Sequence, residues 1–295
     1  MPYLKNLGVF FKTDTVRIEN LEHGVKHLVL SRPEVKNAFN EQMIDDISEG
    51  LTRAAACIMA EEMRVLLISG EGNTFCAGAD LGYMREQATR SEARNFQDAR
   101  KLGQLFFRLA NFPTPVVAAV RGAAIGGGLG LTVCADAVVA DSQAVFATSE
   151  VFLGIVPGVI SPYIVRKVGL AHAAPFMLTG KRLSAREAQL AGLVQEVCDP
   201  EDFSEKLTLT LCDYLQAGPN AARRTKELLR KISPLPNPTL FEYSAQAIAA
   251  ARTSDEGQSG LGSFFEKVPP PWAADILTLR KSVLAKKSTL GDNRK

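Results

Sequence analysis

Apolar positions change their spacing several times along this chain, and each change marks an element. Val16 to Leu30 reads as two strands around a Glu22-His23-Gly24 hairpin turn, and Glu41 to about Met59 has helical spacing. Val65-Leu66-Leu67-Ile68-Ser69-Gly70 is a short β-rich run that ends at glycine, as buried strands do. Helical periodicity returns from Ser91 to Leu109, and Pro115 to Val120 is the next strand. A glycine cluster then opens a helix containing Leu131, Val133 and Cys134, and Ala137 to Ala140 is another strand. This alternation predicts an α/β architecture with βαβ-like units. After Ser161 the pattern becomes almost wholly helical as far as Ser254, which predicts a core over residues 1–200 and a C-terminal helical region over 201–295. The C-terminal helices are too amphipathic to stand alone and require a neighbour, either the core or another subunit. Pro269-Pro270-Pro271 ends ordered helix, and the last ten residues, polar and basic, are expected to fray.

Composition narrows the classes. Apolar residues make up 46% and charged residues 22%, the mix of a globular protein with a sizeable core. Net charge is +2 with both signs interspersed, so no basic field for nucleic acid is expected. The five cysteines are widely spaced without a C-x-x-C pair, and only His23, His27 and His172 are available as imidazole ligands. Neither a disulfide framework nor a zinc site is expected from that set, and a reducing, cytoplasmic compartment fits it. No apolar run approaches the roughly 18 residues of a membrane span, and no secretory order of charged then apolar residues opens the chain.

Two glycine-bearing segments carry the candidate chemistry. Phe75-Cys76-Ala77-Gly78-Ala79-Asp80 and Ala124-Ile125-Gly126-Gly127-Gly128-Leu129-Gly130 each follow a predicted strand and precede a helical pattern. Two such sets of backbone N–H groups converging on one point would form an oxyanion hole. The triple glycine alone also fits a tight turn or close helix packing; a phosphate cradle lacks the G-K-[ST] continuation. Glu150 lies in a mostly apolar stretch, Ala147 to Gly154, and is either a solvated loop residue or a buried acid. Burial would raise its pKa and suit it to proton transfer near neutrality. The remaining candidates read as structural: His172 as helix packing, His23 and His27 as exposed hairpin residues, Cys76 as a small core residue. Asp136 and Asp141 read as caps or turns, and Arg223-Arg224-Thr225-Lys226 as a solvated helix face.

Several segments together resemble the crotonase (enoyl-CoA hydratase/isomerase) superfamily. They are Arg32 to Asn40 (RPEVKNAFN), Phe75 to Leu81 (FCAGADL), Ala118 to Gly128 (AAVRGAAIGGG), Cys134-Ala135-Asp136, and Ser149 to Gly158 (SEVFLGIVPG), with Phe264-Phe265-Glu266-Lys267 like the family's tail motif. The resemblance implies a crotonase-like spiral of ββα units with a C-terminal helical trimerisation region, assembled as a homotrimer or dimer of trimers. It implies an acyl-CoA thioester substrate, with coenzyme A part of that substrate and no metal or redox cofactor. It implies Glu150 as the acid/base and the N–H groups of Ala79 and Gly127 around the thioester oxygen. By the same resemblance, Val35, Ala38, Ala77, Asp80, Leu81, Gly126, Gly130, Gly158, Phe265 and Lys267 line the bound acyl-CoA.

One departure matters. Typical two-glutamate hydratases carry a first Glu two residues after the triple glycine, where this chain has Gly130, and a second twenty residues later, kept here as Glu150. A single-glutamate enzyme is therefore implied. The favoured reading is hydration of a branched, carboxylated enoyl-CoA such as 3-methylglutaconyl-CoA, because Ile160-Ser161-Pro162-Tyr163 resembles the corresponding run of methylglutaconyl-CoA and isohexenylglutaconyl-CoA hydratases. The alternatives are a Δ3,Δ2-enoyl-CoA isomerase and a non-catalytic CoA-ester binding or scaffold protein. Arg166 and Lys167 are candidates for holding a distal carboxylate.

Overall fold

The computed structural model describes residues 3–59, 62–233 and 238–273. It opens with β1 (Asn6–Lys12), β2 (Val16–Leu21), β3 (Val25–Leu30), α1 (Glu41–Met59) and β4 (Val65–Gly70). Next come α2 (Leu81–Thr89), α3 (Glu92–Ala110), β5 (Val116–Val120), β6 (Ala123–Ile125), α4 (Gly127–Cys134), β7 (Ala137–Asp141) and β8 (Val145–Ala147). The remainder is α5 (Ser161–Thr179), β9 (Leu183–Ser184), α6 (Ala185–Leu190), β10 (Glu196–Cys198), α7 (Phe203–Gln216), α8 (Pro219–Ile232), α9 (Pro238–Thr253) and α10 (Asp255–Glu266). The predicted hairpin, strands and helices are all present. The helical reading after Ser161 is corrected at β9 and β10, two and three residues long and too short to display a period-2 pattern. β10 exists because it pairs beside β7, with Val197 opposite Ala140.

Seven strands form one sheet in the order β1-β2-β3-β4-β5-β7-β10. It is antiparallel across the first three strands and parallel from β3 onward. Both faces are covered, which is why its central strands are continuous apolar runs. On one face Leu28, Leu30, Leu66, Ile68, Ala118 and Val138 share a core with Met43, Ile47 and Leu51 of α1 and Leu105, Phe106 and Leu109 of α3. On the other, Val25, Val65, Leu67, Val117 and Val139 meet Phe203, Leu207 and Leu211 of α7. The amphipathic helix α9 finds its neighbour in α3, where Phe241 lies over Gly103 and leaves no room for a side chain there. α8 leaves Leu228, Leu229 and Ile232 exposed. α10 stops at Glu266, ahead of the triple proline, and the last ten residues of the chain lie outside the described residues.

A second sheet, β6-β8-β9, positions the chemistry. β6 and β8 are parallel and end in register, Ile125 opposite Ala147. Gly126 N–H then extends the pairing by donating to Ala147 O at 3.0 Å. The residues that continue past the two C-terminal ends, Gly126-Gly127 from one strand and Thr148-Ser149-Glu150 from the other, are thereby delivered to the same place.

The Arg32–Asn40 motif is held by one buried amide. Asn37 is fully buried at φ +54°, a left-handed conformation that asparagine adopts more readily than most residues. Its Oδ1 accepts from Arg32 N–H (2.9 Å), and its Nδ2 donates to Glu71 O (2.9 Å) and Thr74 O (2.7 Å). One side chain thus ties the end of β3 to the loop that follows β4. Asn37→Ala leaves three part-buried backbone groups without partners, and the expected cost is about 2–3 kcal/mol in urea denaturation. A loss under about 1 kcal/mol would show that water replaces the amide there.

Candidate active site

The 75–80 loop runs between two other stretches of backbone and is bridged to each, Cys76 to Ala124 and Ala79 to Phe39. Phe75 N–H donates to Arg121 O, Cys76 N–H to Ala123 O and Ile125 N–H to Cys76 O, at 2.8, 2.8 and 3.0 Å. On its other side Phe39 N–H donates to Gly78 O (2.7 Å) and Asp80 N–H to Phe39 O (2.8 Å). Between these bonds Gly78 takes φ +97° and Gly126 takes φ +50°, so both loops turn at glycine. The next residues, Ala79 and Gly127, present N–H groups that have no acceptor among the described residues. Gly127 is the first residue of α4, where an unpaired N–H and the positive end of the helix dipole coincide.

Glu150 completes the cluster. A methyl group built on Gly126 would lie 3.3 Å from Glu150 Oε1 and 3.8 Å from Gly78 Cα, so all three residues meet at one point. Glu150 opens a 3-10 turn, Glu150–Leu153, closed by Gly154 at φ +66° and pinned by α10, where Glu256 O sits against Gly154. The residue is half-buried, and its Oε2 is fully buried without a hydrogen-bond partner. Desolvation pushes its pKa up to about 7; its own N–H, the positive charge of Arg252 and the Ser149 N–H hold it from rising further. Of the two readings of this carboxylate, the buried acid holds.

Around this point Arg32 joins two of the motifs. Its Nη2 contacts Asp80 Oδ2 at 3.1 Å and its Nη1 donates to Ala38 O at 2.6 Å. Asp80 in turn caps α2, its Oδ1 accepting from Gly82 N–H (2.9 Å) and Tyr83 N–H (3.3 Å). Val35, Ala38, Ala77, Ala79, Asp80 and Leu81 are therefore gathered at one place, with Val35 and Leu81 exposed to solvent. Phe265 reaches the same helix through the guanidinium of Arg85, 5.2 Å from its ring centre. Lys267 is exposed and ends α10 in a left-handed conformation. Gly158 packs under α9, where a methyl group would lie 2.5 Å from Ser244 O.

Gly130 is part of the core. A methyl group there would lie 2.5 Å from Phe106 Cζ and 2.7 Å from Ile160 Cγ2, so aromatic and aliphatic side chains occupy the volume a longer residue needs. The two candidate cations for a distal carboxylate are engaged elsewhere. Lys167 Nζ donates to Ala135 O at 2.6 Å, past the far end of α4, and Arg166 donates to Ser233 O at 3.1 Å. Three other sequence expectations change. His27 is half-buried, its Nε2 2.8 Å from Ser69 Oγ, and burial lowers its pKa to about 4. His172 is exposed on α5. Lys226 is buried, donating to Thr114 O (2.9 Å) and paired with Asp136 at 2.5 Å. Cavities of about 280 Å³ beside His172 and about 180 Å³ beside His27 include none of the residues gathered around Glu150. Arg252, whose positive charge acts on Glu150, is new to the site; no motif marks it in the sequence.

The family model for enoyl-CoA hydratase/isomerase matches residues 20–275. The chain belongs to this family. It is 32% identical over 255 residues to the 2,3-dehydroadipyl-CoA hydratase of Escherichia coli, covering 86% of this chain and 96% of that protein. It is 32% identical over 249 residues to enoyl-CoA delta isomerase 2 of Rattus norvegicus, covering 84% of this chain and 63% of that protein. The crystal structure of an enoyl-CoA hydratase from Shewanella pealeana superposes with a TM-score of 0.70 at 36% identity, covering 88% of this chain and 96% of the other. The fold is thus the crotonase-type α/β fold expected from the motifs, and the protein is an enzyme of this family.

The packing at Gly130 makes a direct prediction. Gly130→Ala is expected to cost about 1–3 kcal/mol of stability through overpacking. Gly130→Glu is expected to lower soluble yield rather than create a faster two-glutamate hydratase. A folded Gly130→Glu enzyme that hydrates crotonyl-CoA faster than wild type would contradict this packing account.

Proposed function

We propose that the protein is an enoyl-CoA hydratase that uses Glu150 as its single acid/base and the Ala79 and Gly127 amides as an oxyanion hole. The observation that carries this reading is the meeting of Glu150 with the two glycine turns that present those amides. In the forward direction water attacks C3 while its proton passes to Glu150. The C2–C3 π electrons move toward the thioester oxygen, whose negative charge the two amides accept. The enolate then takes the proton from Glu150 at C2. A carboxyl group with a pKa near 7 gives and takes a proton with little bias at neutral pH. Losing one oxyanion donor typically costs about 3 kcal/mol of transition-state stabilisation.

The substrate we favour is a carboxylated enoyl-CoA such as 3-methylglutaconyl-CoA. Support comes from the Ile160-Ser161-Pro162-Tyr163 run and from the relative whose name specifies 2,3-dehydroadipyl-CoA, another carboxylated thioester. Coenzyme A enters as part of the substrate, and the step as written needs no metal or redox cofactor. The exposed Leu228, Leu229 and Ile232 support assembly into a homotrimer or dimer of trimers. Among the described residues no helix is long and apolar enough to cross a membrane, and the five free cysteines support a cytoplasmic setting.

One observation favours a second reading. With Phe106 and Ile160 filling the space at Gly130, no second carboxylate can stand at that position to orient water, which suits a one-base Δ3,Δ2-isomerase moving a proton from C2 to C4. Turnover of 3-methylglutaconyl-CoA and 3-hexenoyl-CoA in ¹⁸O-labelled water, with crotonyl-CoA as control, separates the two. Solvent oxygen in the first product supports hydration; conversion of 3-hexenoyl-CoA to its 2-enoyl isomer without label supports isomerisation.

Glu150→Gln is expected to lower turnover by at least about 100-fold with the fold intact. The same variant carries a stability signature. The folded-state pKa of Glu150 lies above its ordinary value of 4.5, so the stability contributed by its protonated form is fully present below about 4.5 and is lost as pH rises through about 7. Glu150→Gln should therefore be more stable than wild type at pH 8, with the difference vanishing toward pH 4.5. Equal denaturation midpoints at both pH values would argue that Glu150 is solvated.

A further inference from the structure

We propose that Arg252 and Gln87 form a recognition site for a carboxylate at the far end of the acyl chain. The inference rests on the carboxylated-substrate reading above and names the side chains that would do the selecting. α2 begins where the Ala79 loop ends, and Tyr83 and Gln87 lie one turn apart on its buried face. Gln87 is only 2% exposed, yet neither its Oε1 nor its Nε2 has a hydrogen-bond partner among the described residues. A buried amide unpaired at both ends is costly and calls for a ligand or ordered water.

Arg252, near the end of α9, is linked to the same turn. Its Nη1 approaches Asn95 Oδ1 at 3.3 Å and Asp98 Oδ2 at 3.5 Å, both long, and its guanidinium has no other acceptor among the described residues. Two bridges tie Arg252 to the Gln87 turn: Asn95 Nδ2 donates to Gln87 O (3.0 Å), and Gln258 Nε2 donates to both Ala88 O (2.9 Å) and Arg252 O (2.7 Å). Asp98 is already engaged, its Oδ1 accepting from the Tyr83 hydroxyl. Arg252 Nε and Nη2 and Gln87 Nε2 are thus N–H donors without an acceptor among the described residues, beside one unpaired acceptor, Gln87 Oε1. A carboxylate accepts from those donors and pairs with the guanidinium charge.

Arg252 is tied to the reacting centre through α10. Residues just beyond Arg252 pack on the turn that bears Glu150, Gly257 against Ile155 and Glu256 against Gly154, and the positive charge of Arg252 is felt at Glu150. Along α2, Gln87 lies about 10 Å beyond Asp80 at 1.5 Å per residue, a gap shared between the acyl chain anchored at Ala79 and the Gln87 side chain. The position of the charge is what distinguishes this chain's site from a purely aliphatic pocket.

Calorimetric binding of adipoyl-CoA and hexanoyl-CoA, saturated chains of equal length, tests the site without requiring turnover. Wild type is expected to prefer adipoyl-CoA. Arg252→Met should lose about 10- to 100-fold of that preference, the range of a hydrogen-bonded charge. Gln87→Leu should lose several-fold of it while its thermal midpoint stays level or rises, because the unpaired amide is gone. Full preference in a folded Arg252→Met, or in Gln87→Leu should the first variant fail to fold, overturns the inference. Equal affinity of wild type for both thioesters overturns it together with the carboxylated-substrate reading. A wild type that prefers adipoyl-CoA but turns over no enoyl-CoA supports this site and refutes the reaction instead.

Discussion

Contact between two stretches of backbone, the 75–80 loop and the 123–128 segment, is the constraint on which the site depends. Side chains would prevent it. A methyl group at Gly128 would lie 2.7 Å from both Cys76 Cβ and Cys76 O, and one at Gly78 would lie 3.3 Å from Ile125 O. At Gly127 it would lie 3.0 Å from the Phe39 ring. Glycine therefore serves two ends here: it permits the positive φ of Gly78 and Gly126, and it lets the strands close to hydrogen-bonding distance. The unpaired amides of Ala79 and Gly127 follow from that closure, since each is the first N–H after a turn that has used its neighbours' bonds.

The same compactness governs the carboxylates. Glu150 is left at the meeting point with one buried oxygen unpaired, a cost accepted at functional sites more than elsewhere. Gly130, one turn into α4, is the opposite case: Phe106 and Ile160 have taken the volume a side chain would need. Desolvation by burial is the largest cause of the raised pKa of Glu150.

Much of the core was legible from spacing alone. β4 and β5 are buried on both faces and read as unbroken apolar runs, and α1 and α3 show their buried stripes plainly. The edges were not. β6, β8, β9 and β10 have two or three residues each and exist through pairing with distant partners, which local pattern does not record. At the site, the glycine loops were visible because backbone geometry demands glycine, whereas the burial of Glu150 depends on α10, more than 100 residues away in the chain. Lys226 misled for the same reason: within a basic helix it looks solvated, and only Asp136 and Thr114 draw it inside. Arg252 and Gln87 gave no signal, since a single arginine in an alanine-rich helix and a single glutamine in a polar one are unremarkable until α2, α3 and α9 are packed together.

The most direct measurement is solvent deuterium incorporation at C2 of a bound acyl-CoA, followed by NMR in wild type and in Glu150→Gln under saturating conditions. If one buried carboxylate and the two-amide oxyanion hole carry the proton transfer, wild type exchanges C2 hydrogen with solvent and Glu150→Gln does not, although it still binds the thioester. Exchange at the wild-type rate in Glu150→Gln would contradict the central claim and move the acid/base role to another residue.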